Sequence, residues 1–354
     1  MRKDIVIIMN NLQKQVRLLD ISKPNGAAKM FEEQSGILFW DNIYNKEYYD
    51  IVKDMRDVFW QPQEIGMSKD VRHYDSMNDE EKALFQNAVG QLASLDSIAT
   101  VYDMYAFHYI KDPAVKAAMA YVSATESIHN ESYTYILSSL VPKSVSLEAF
   151  EFPRRDENMI KRNEIIMQYF DDFASNPTIE TFLKAQVANA ALESISFTNG
   201  FTPFYHFMRN GKMFSSGKII QYIQQDEVKH AYFQSMVIRD VLSQYKEYNT
   251  SEFATWVYEF LTELVQFEKE FTEALYSDIE MIDVYEVQEF VEFRANQVLD
   301  NLGLDKIFDT KKNPMQWVDA YHPSNFNNKK TDFFENDELN YDGASEENNN
   351  WDDL

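Results

Sequence analysis

Between about residues 45 and 302, apolar residues recur three and four positions apart, the spacing of one helix face. Residues 78–110, NDEEKALFQNAVGQLASLDSIATVYDMYAFHYI, hold that spacing for about nine turns. An Asn/Asp start suited to capping precedes them. Asp112-Pro113 reads as an N-cap followed by a first helical residue and opens a helix to about residue 140. Asn176-Pro177 opens another, to about 208. NGKMFSSGK makes a turn, and a helix runs from about 215 to 246. Thr250/Ser251 start a further helix, and one more covers roughly 284–302. Helices this long and this apolar suit the members of a bundle rather than a surface layer. The pattern predicts an all-α fold, with residues 1–40 as an N-terminal arm and 41–305 as one helical domain. Residues 306–354 form an irregular segment and a tail.

Composition narrows what such a bundle can do. At 354 residues and 45% hydrophobic, the chain has ample material for a core, and only 9 Gly and 9 Pro argue against turn-rich β architecture. The formal net charge of −25 repels phosphate, so no nucleic-acid partner is expected. With no cysteine, the chain has no disulfide, thiolate zinc site, iron–sulfur cluster or cysteine nucleophile. Any metal must rest on carboxylates and imidazoles. IVIIM near the start is too short for a signal sequence, and no apolar run spans a membrane, so a cytoplasmic protein is expected. The end, DFFENDELNYDGASEENNNWDDL, carries nine acidic residues and no basic one, yet keeps Tyr341, Trp351 and Leu354. Such anchors fit a peptide that orders on a partner.

Candidate chemistry concentrates on four helices. Glu126 and His129 stand three apart, as do Glu227 and His230, so each pair shares a helix face and can converge on one metal. Asp70/His73 and Asp319/His322 have similar spacing but lie outside the long apolar helices. Asp96, in LASLDSIAT, and Glu193, in NAALESISF, are acids in equally apolar stretches. Burying a lone carboxylate is costly, and the nearest cation, Lys229, should point away. Four carboxylates balance two divalent cations. Two carboxylate helices plus two Glu-x-x-His helices is a known pattern for dinuclear iron or manganese bundles, and one imidazole per metal favours those ions over copper or zinc.

LDSIAT, ATESIHNESY, ALESISFTNGF and IQQDEVKHAYF together resemble the small, radical-generating subunit of class I ribonucleotide reductase, over roughly residues 35–300 plus the tail. The resemblance implies a ferritin-like helical bundle with a buried dinuclear metal site. It places Asp96, Glu126, His129, Glu193, Glu227 and His230 on the metal ligands and Tyr133 on the radical tyrosine. Phe197, Phe201 and Ile223 fall on the pocket that shields the radical. Trp60, in VFWQPQEIG, and Asp226 fall on the interior end of a radical-transfer path, and Tyr341 on its exit. The implied cofactors are two iron or two manganese ions and a tyrosyl radical. The implied partners are a second copy of the chain, the large subunit through the tail, and, for manganese, a flavodoxin-like activating protein. The implied activity is oxidation of Tyr133 after the metals react with an oxygen species, for ribonucleotide reduction in the large subunit. The polar TNG at 198–200 departs from a bundle core, and Gly200 is expected to mark a π-bulge or kink there. The rival classes are another oxygen-activating di-metal oxidase, or a storage or metal-binding bundle without catalysis. The first needs an open substrate channel and has no use for Tyr133 or the tail, and storage bundles are far shorter and form cages.

Overall fold

In the structure, a computed structural model that describes residues 12–14, 19–32 and 36–321, regular structure is entirely helical among the described residues. Tyr341, Trp351, Leu354 and His322 lie outside them. Short helices α1 (Glu47–Arg56) and α2 (Ser68–Asp75) precede the long α3 (Asp79–Ala106) and α4 (Pro113–Leu140). Next come α5 (Lys143–Arg155), α6 (Glu157–Ser175) and α7 (Ile179–Ala191). A π-helical segment, Leu192–Ser196, joins α7 to α8 (Phe197–Arg209) without a break. Then come α9 (Phe214–Gln244), α10 (Ser251–Tyr276) and α11 (Val284–Leu302). Between α11 and residue 321 the chain is irregular apart from a 3₁₀ turn at Gln316–Tyr321.

Local chemistry sets most boundaries. Asn78 and Glu81 close a reciprocal capping box at the start of α3. Asp112 Oδ1 accepts from Ala114 N at 2.8 Å, so Pro113 is the first residue of α4 as the dipeptide implied. The helix expected from Asn176-Pro177 starts two residues later, because Thr178 and Thr181 form the cap. Thr250 caps α10. Asp70 turns out to be a cap in trans. Its carboxylate accepts from the Ser215 and Ser216 amides at 3.0 and 2.7 Å, which anchors the start of α9.

The helices pack α3 against α4, α5 and α8, and α9 against α4, α7 and α8, so α3, α4, α9 and the π segment surround a common interior. Gly90 lets α5 cross α3 closely: a Cβ there would lie 1.9 Å from the Ala149 carbonyl oxygen. No helix among the described residues is long and apolar enough to cross a membrane.

The π segment corrects one expectation. It lies at Leu192–Ser196, where the Phe197 amide reaches the Leu192 carbonyl five residues back, and not at Gly200. Gly200 instead permits close packing, since a Cβ on it would come within 2.7 Å of Leu92 Cδ2. The polar stretch has its own explanation. Asn199 Nδ2 donates to Glu268 Oε2 at 2.7 Å, tying α8 to α10.

Candidate metal centre

Each of the four core segments delivers acids or imidazoles to one point. Asp96 comes from α3, Glu126 and His129 from α4, Glu193 from the π segment, and Glu227 and His230 from α9. All six are 0–1% exposed. They fall into two overlapping groups, Asp96/Glu126/His129/Glu227 and Glu126/Glu193/Glu227/His230. In each group the ligand atoms lie within 4.8 Å of one another. Glu126 and Glu227 belong to both groups.

The two shared carboxylates straddle the centre. Glu126 places Oε2 3.3 Å from His129 Nδ1 and Oε1 2.7 Å from His230 Nδ1. Glu227 does the same, with Oε1 3.0 Å from His129 Nδ1 and Oε2 2.9 Å from His230 Nδ1. Asp96 Oδ1 adds a contact to His129 Nδ1 at 3.2 Å. Both imidazoles thus turn Nδ1 inward. Their outer nitrogens are held too, His129 Nε2 by Asp226 at 3.3 Å and His230 Nε2 by Thr125 Oγ1 at 3.0 Å. Such outer contacts fix ring orientation at metal sites.

The charge balance of the cluster calls for cations. Among the described residues no Lys or Arg pairs with these acids, and Lys229 is turned outward onto the Asp54 carbonyl at 2.7 Å. Asp96 Oδ2 and both Glu193 oxygens have no hydrogen-bond partner. Burial pushes the Asp96 and Glu193 carboxyls well above the usual carboxylate range, and the negative charges of Glu227 and Glu126 push Glu193 further. Burial opposes charge on His230, but Glu126 and Glu227 overcome it and carry the imidazole to about 10. Burial also opposes charge on Glu126, yet the facing imidazolium charges hold its carboxyl below the usual range. Without metal, protons on the histidines therefore stand in for the missing positive charge. Four carboxylates with one imidazole per group fit two divalent ions of the iron or manganese kind.

The other described residues that the resemblance singled out are buried in the same helical core. Tyr133 lies one turn beyond His129 on α4, fully buried, and its hydroxyl forms no well-aligned hydrogen bond. Burial, then the charges of Asp96 and Glu227, push this phenol well above its ordinary value, so it holds its proton. Trp60 Nε1 donates to Asp226 Oδ2 at 2.9 Å, and that same oxygen meets His129. Phe197 and Phe201 are stacked with centroids 5.9 Å apart, and both rings and Ile223 are fully buried.

The family model described as "Ribonucleotide reductase, small chain" matches residues 38–314. The chain belongs to that family. The ribonucleoside-diphosphate reductase subunit beta of Halalkalibacterium halodurans is 35% identical over 96% of this chain and 99% of its own length. That of Treponema pallidum is 28% identical over 78% of this chain and 80% of its own. Among solved structures, the ribonucleotide reductase R2 subunit from Clostridium botulinum superposes with a TM-score of 0.84 at 25% identity, covering 88% of this chain and 99% of that one. The dimanganese(II)-NrdF of Streptococcus sanguinis gives 0.70 at 26%, covering 77% and 94%. The chain is thus a class I ribonucleotide reductase small subunit, an oxidoreductase component that works with a large subunit.

Sequence reasoning missed several residues around this small-subunit centre. Arg162 of α6 is buried and donates from Nε to Glu268 Oε1 at 2.6 Å and from Nη2 to the Ser196 carbonyl at 2.7 Å. Arg294 of α11 donates to the Ser194 carbonyl at 3.0 Å. Two arginines therefore hold carbonyls of the π segment that carries Glu193. Asp103, two turns beyond Asp96, is also buried, with its carboxyl raised to about 7 by burial and then by Glu126. Gln234 and Asn189 amides meet its Oδ1 at 3.3 and 3.4 Å. The seven-residue spacing from Asp96 was the available signal for Asp103. Arg162 and Arg294 had none, because their partners lie on other helices far along the chain.

Proposed function

We propose that Asp96, Glu126, His129, Glu193, Glu227 and His230 hold two iron or two manganese ions, and that Tyr133 is oxidised to the tyrosyl radical of this small subunit. The observation that carries the reading is the straddling of Glu126 and Glu227, each of which lays one oxygen against each imidazole. Carboxylates so placed would hold two cations without rearranging a helix. The bound pair would supply a one-electron oxidant. Tyr133 then gives up an electron together with its phenolic proton, for which Asp96 is the carboxylate that acts most strongly on the hydroxyl. Phe197, Phe201 and Ile223 exclude water from this region of the bundle.

Trp60, Asp226 and His129 form the inner end of a path by which the hole leaves. Asp226 is its proton-handling element, since its Oδ2 contacts both Trp60 Nε1 and His129 Nε2. The acidic tail, with Trp351 and Leu354 as anchors and Tyr341 as exit residue, docks on the large subunit, where ribonucleotides become deoxyribonucleotides. The active form is a homodimer, activated by a flavodoxin-like protein if the metal is manganese.

The test loads metal-free protein with Fe(II) or Mn(II), then combines metal analysis, electron paramagnetic resonance and a crystal structure. Two metals per chain and a tyrosyl signal are expected. A metal-supplied structure with the six side chains paired only to protein groups would overturn the reading.

A further inference from the structure

We propose that Tyr222 is a redox relay between Trp60 and the protein surface, the outermost ring of a stack running from His129 through Trp60; this rests on the Tyr133 reading above. The Trp60 and His129 ring centroids are 6.1 Å apart with planes inclined by 19°. Those of Trp60 and Tyr222 are 5.4 Å apart, inclined by 24°. Both are offset-stacked geometries of the kind aromatic pairs favour. Among the described residues, Tyr222 is the only other ring stacked on Trp60. Exposure rises along the stack, from 0% at His129 to 6% at Trp60 to a half-buried Tyr222. Tyr222 also sits one turn before Asp226 on α9, so a single helix fixes both partners of Trp60.

A hole on Trp60 needs a next station. Electronic coupling falls steeply with distance, and Trp60 itself is nearly closed off from the surface. Tyr222 is in ring contact and reaches solvent. Burial and the charge of Glu64 raise its phenol above the ordinary value, so the hydroxyl keeps its proton until oxidation. The Lys218 ammonium, 6.0 Å from the ring centroid, disfavours a cationic ring, so electron and proton leave together.

The step balances. One electron passes from Tyr222 to oxidised Trp60, which returns to its closed-shell form. Any Nε1 proton Trp60 had shed comes back from Asp226. The Tyr222 O–H bond breaks, its proton goes to solvent water, and a neutral tyrosyl radical remains. A redox-active aromatic or thiol side chain of the large subunit, or Tyr341, then reduces Tyr222 and carries the hole onward.

Two variants test this in the full metal-loaded chain with its large subunit. Tyr222→Phe keeps the stack and removes the phenol. It should retain two metals and the Tyr133 radical while turnover falls at least about tenfold. With 3-aminotyrosine at position 222, an easily oxidised trap, mixing with large subunit and substrate should convert the Tyr133 signal into an aminotyrosyl signal. A merely structural role would not produce that spectrum. Full turnover by Tyr222→Phe, or a silent trap while the Tyr133 signal is consumed, overturns the relay and leaves the Tyr133 reading standing. Unchanged turnover with a longer-lived Tyr133 radical also overturns it, making Tyr222 a side exit. Absence of any Tyr133 radical in the unsubstituted protein overturns both readings.

Discussion

Glu126 and Glu227, on different helices, contact the same two histidine nitrogens, with His230 Nδ1 at 2.7 Å from the first carboxylate and 2.9 Å from the second. Neither carboxylate belongs to one half of the site, so removing either should disturb both halves. Glu126→Ala should lower bound metal from two per chain to below one, with the helical fold retained. Metal analysis after gel filtration reads the result, and selective loss of one metal with tight retention of the other would contradict the sharing.

The metal-free site should carry a pH signature. His230 rises from an ordinary 6.5 to about 10 in the folded chain, so the folded state holds that proton more tightly than the unfolded one. The resulting stabilisation is complete below pH 6.5 and is lost as pH climbs toward 10. The Tm of metal-free protein should therefore fall between neutral pH and pH 10. The metal-loaded form, in which cations replace the protons, should fall less. Loading near neutral pH should release protons, measurable with an indicator dye. A metal-free Tm that rises over this range would refute the assignment of the proton to the imidazole.

Tyr133→Phe removes a buried hydroxyl that forms no well-aligned hydrogen bond. A hydroxyl so poorly satisfied adds little to stability, so the variant should be as stable as the parent or up to about 1 kcal/mol more so. Metal content should stay unchanged while the tyrosyl signal and reductase activity disappear. An unchanged signal would move the radical to another tyrosine, with Tyr102, Tyr105 and Tyr135 as candidates.

The Arg162–Glu268 ion pair lies beneath the π segment, and Glu268 also accepts from Ser196 Oγ at 2.6 Å. Arg162→Met leaves that carboxylate buried without its cation and should cost about 3–5 kcal/mol in denaturant unfolding. Because Ser196 belongs to the segment holding Glu193, metal affinity should also fall by roughly 10–100-fold. Glu268→Gln, which keeps hydrogen-bonding groups, should be milder on both counts. Equal metal affinity in Arg162→Met and parent would separate the ion pair from the metal site.

Deleting residues 335–354 should leave metals and radical intact and abolish turnover with the large subunit. A peptide of those residues should compete with the intact chain, faster at low salt if the receiving groove is basic. Tyr341→Phe should dock but not turn over. Normal turnover by the truncated chain would remove the tail from the mechanism.

The sequence alone determined the parts of this protein that depend on helical period. Glu126/His129 and Glu227/His230 were legible because a helix of 3.6 residues per turn puts i and i+3 on one face, whatever that face meets. Asp96 and Glu193 were legible because an acid in a long apolar run demands a compensating partner. The caps at Asn78, Asp112 and Thr250 were legible because capping is a contact between near neighbours. Only the tertiary structure decided what depends on distance between helices. It set the π register of Leu192–Ser196, which sequence reasoning misplaced to Gly200, because Arg162 and Arg294 arrive from α6 and α11 to hold its carbonyls. It assigned Asn199 to Glu268 rather than to a kink. It laid Tyr222 on Trp60, 162 positions away in the chain, a contact no local pattern encodes because it depends on how α9 packs against the loop after α1.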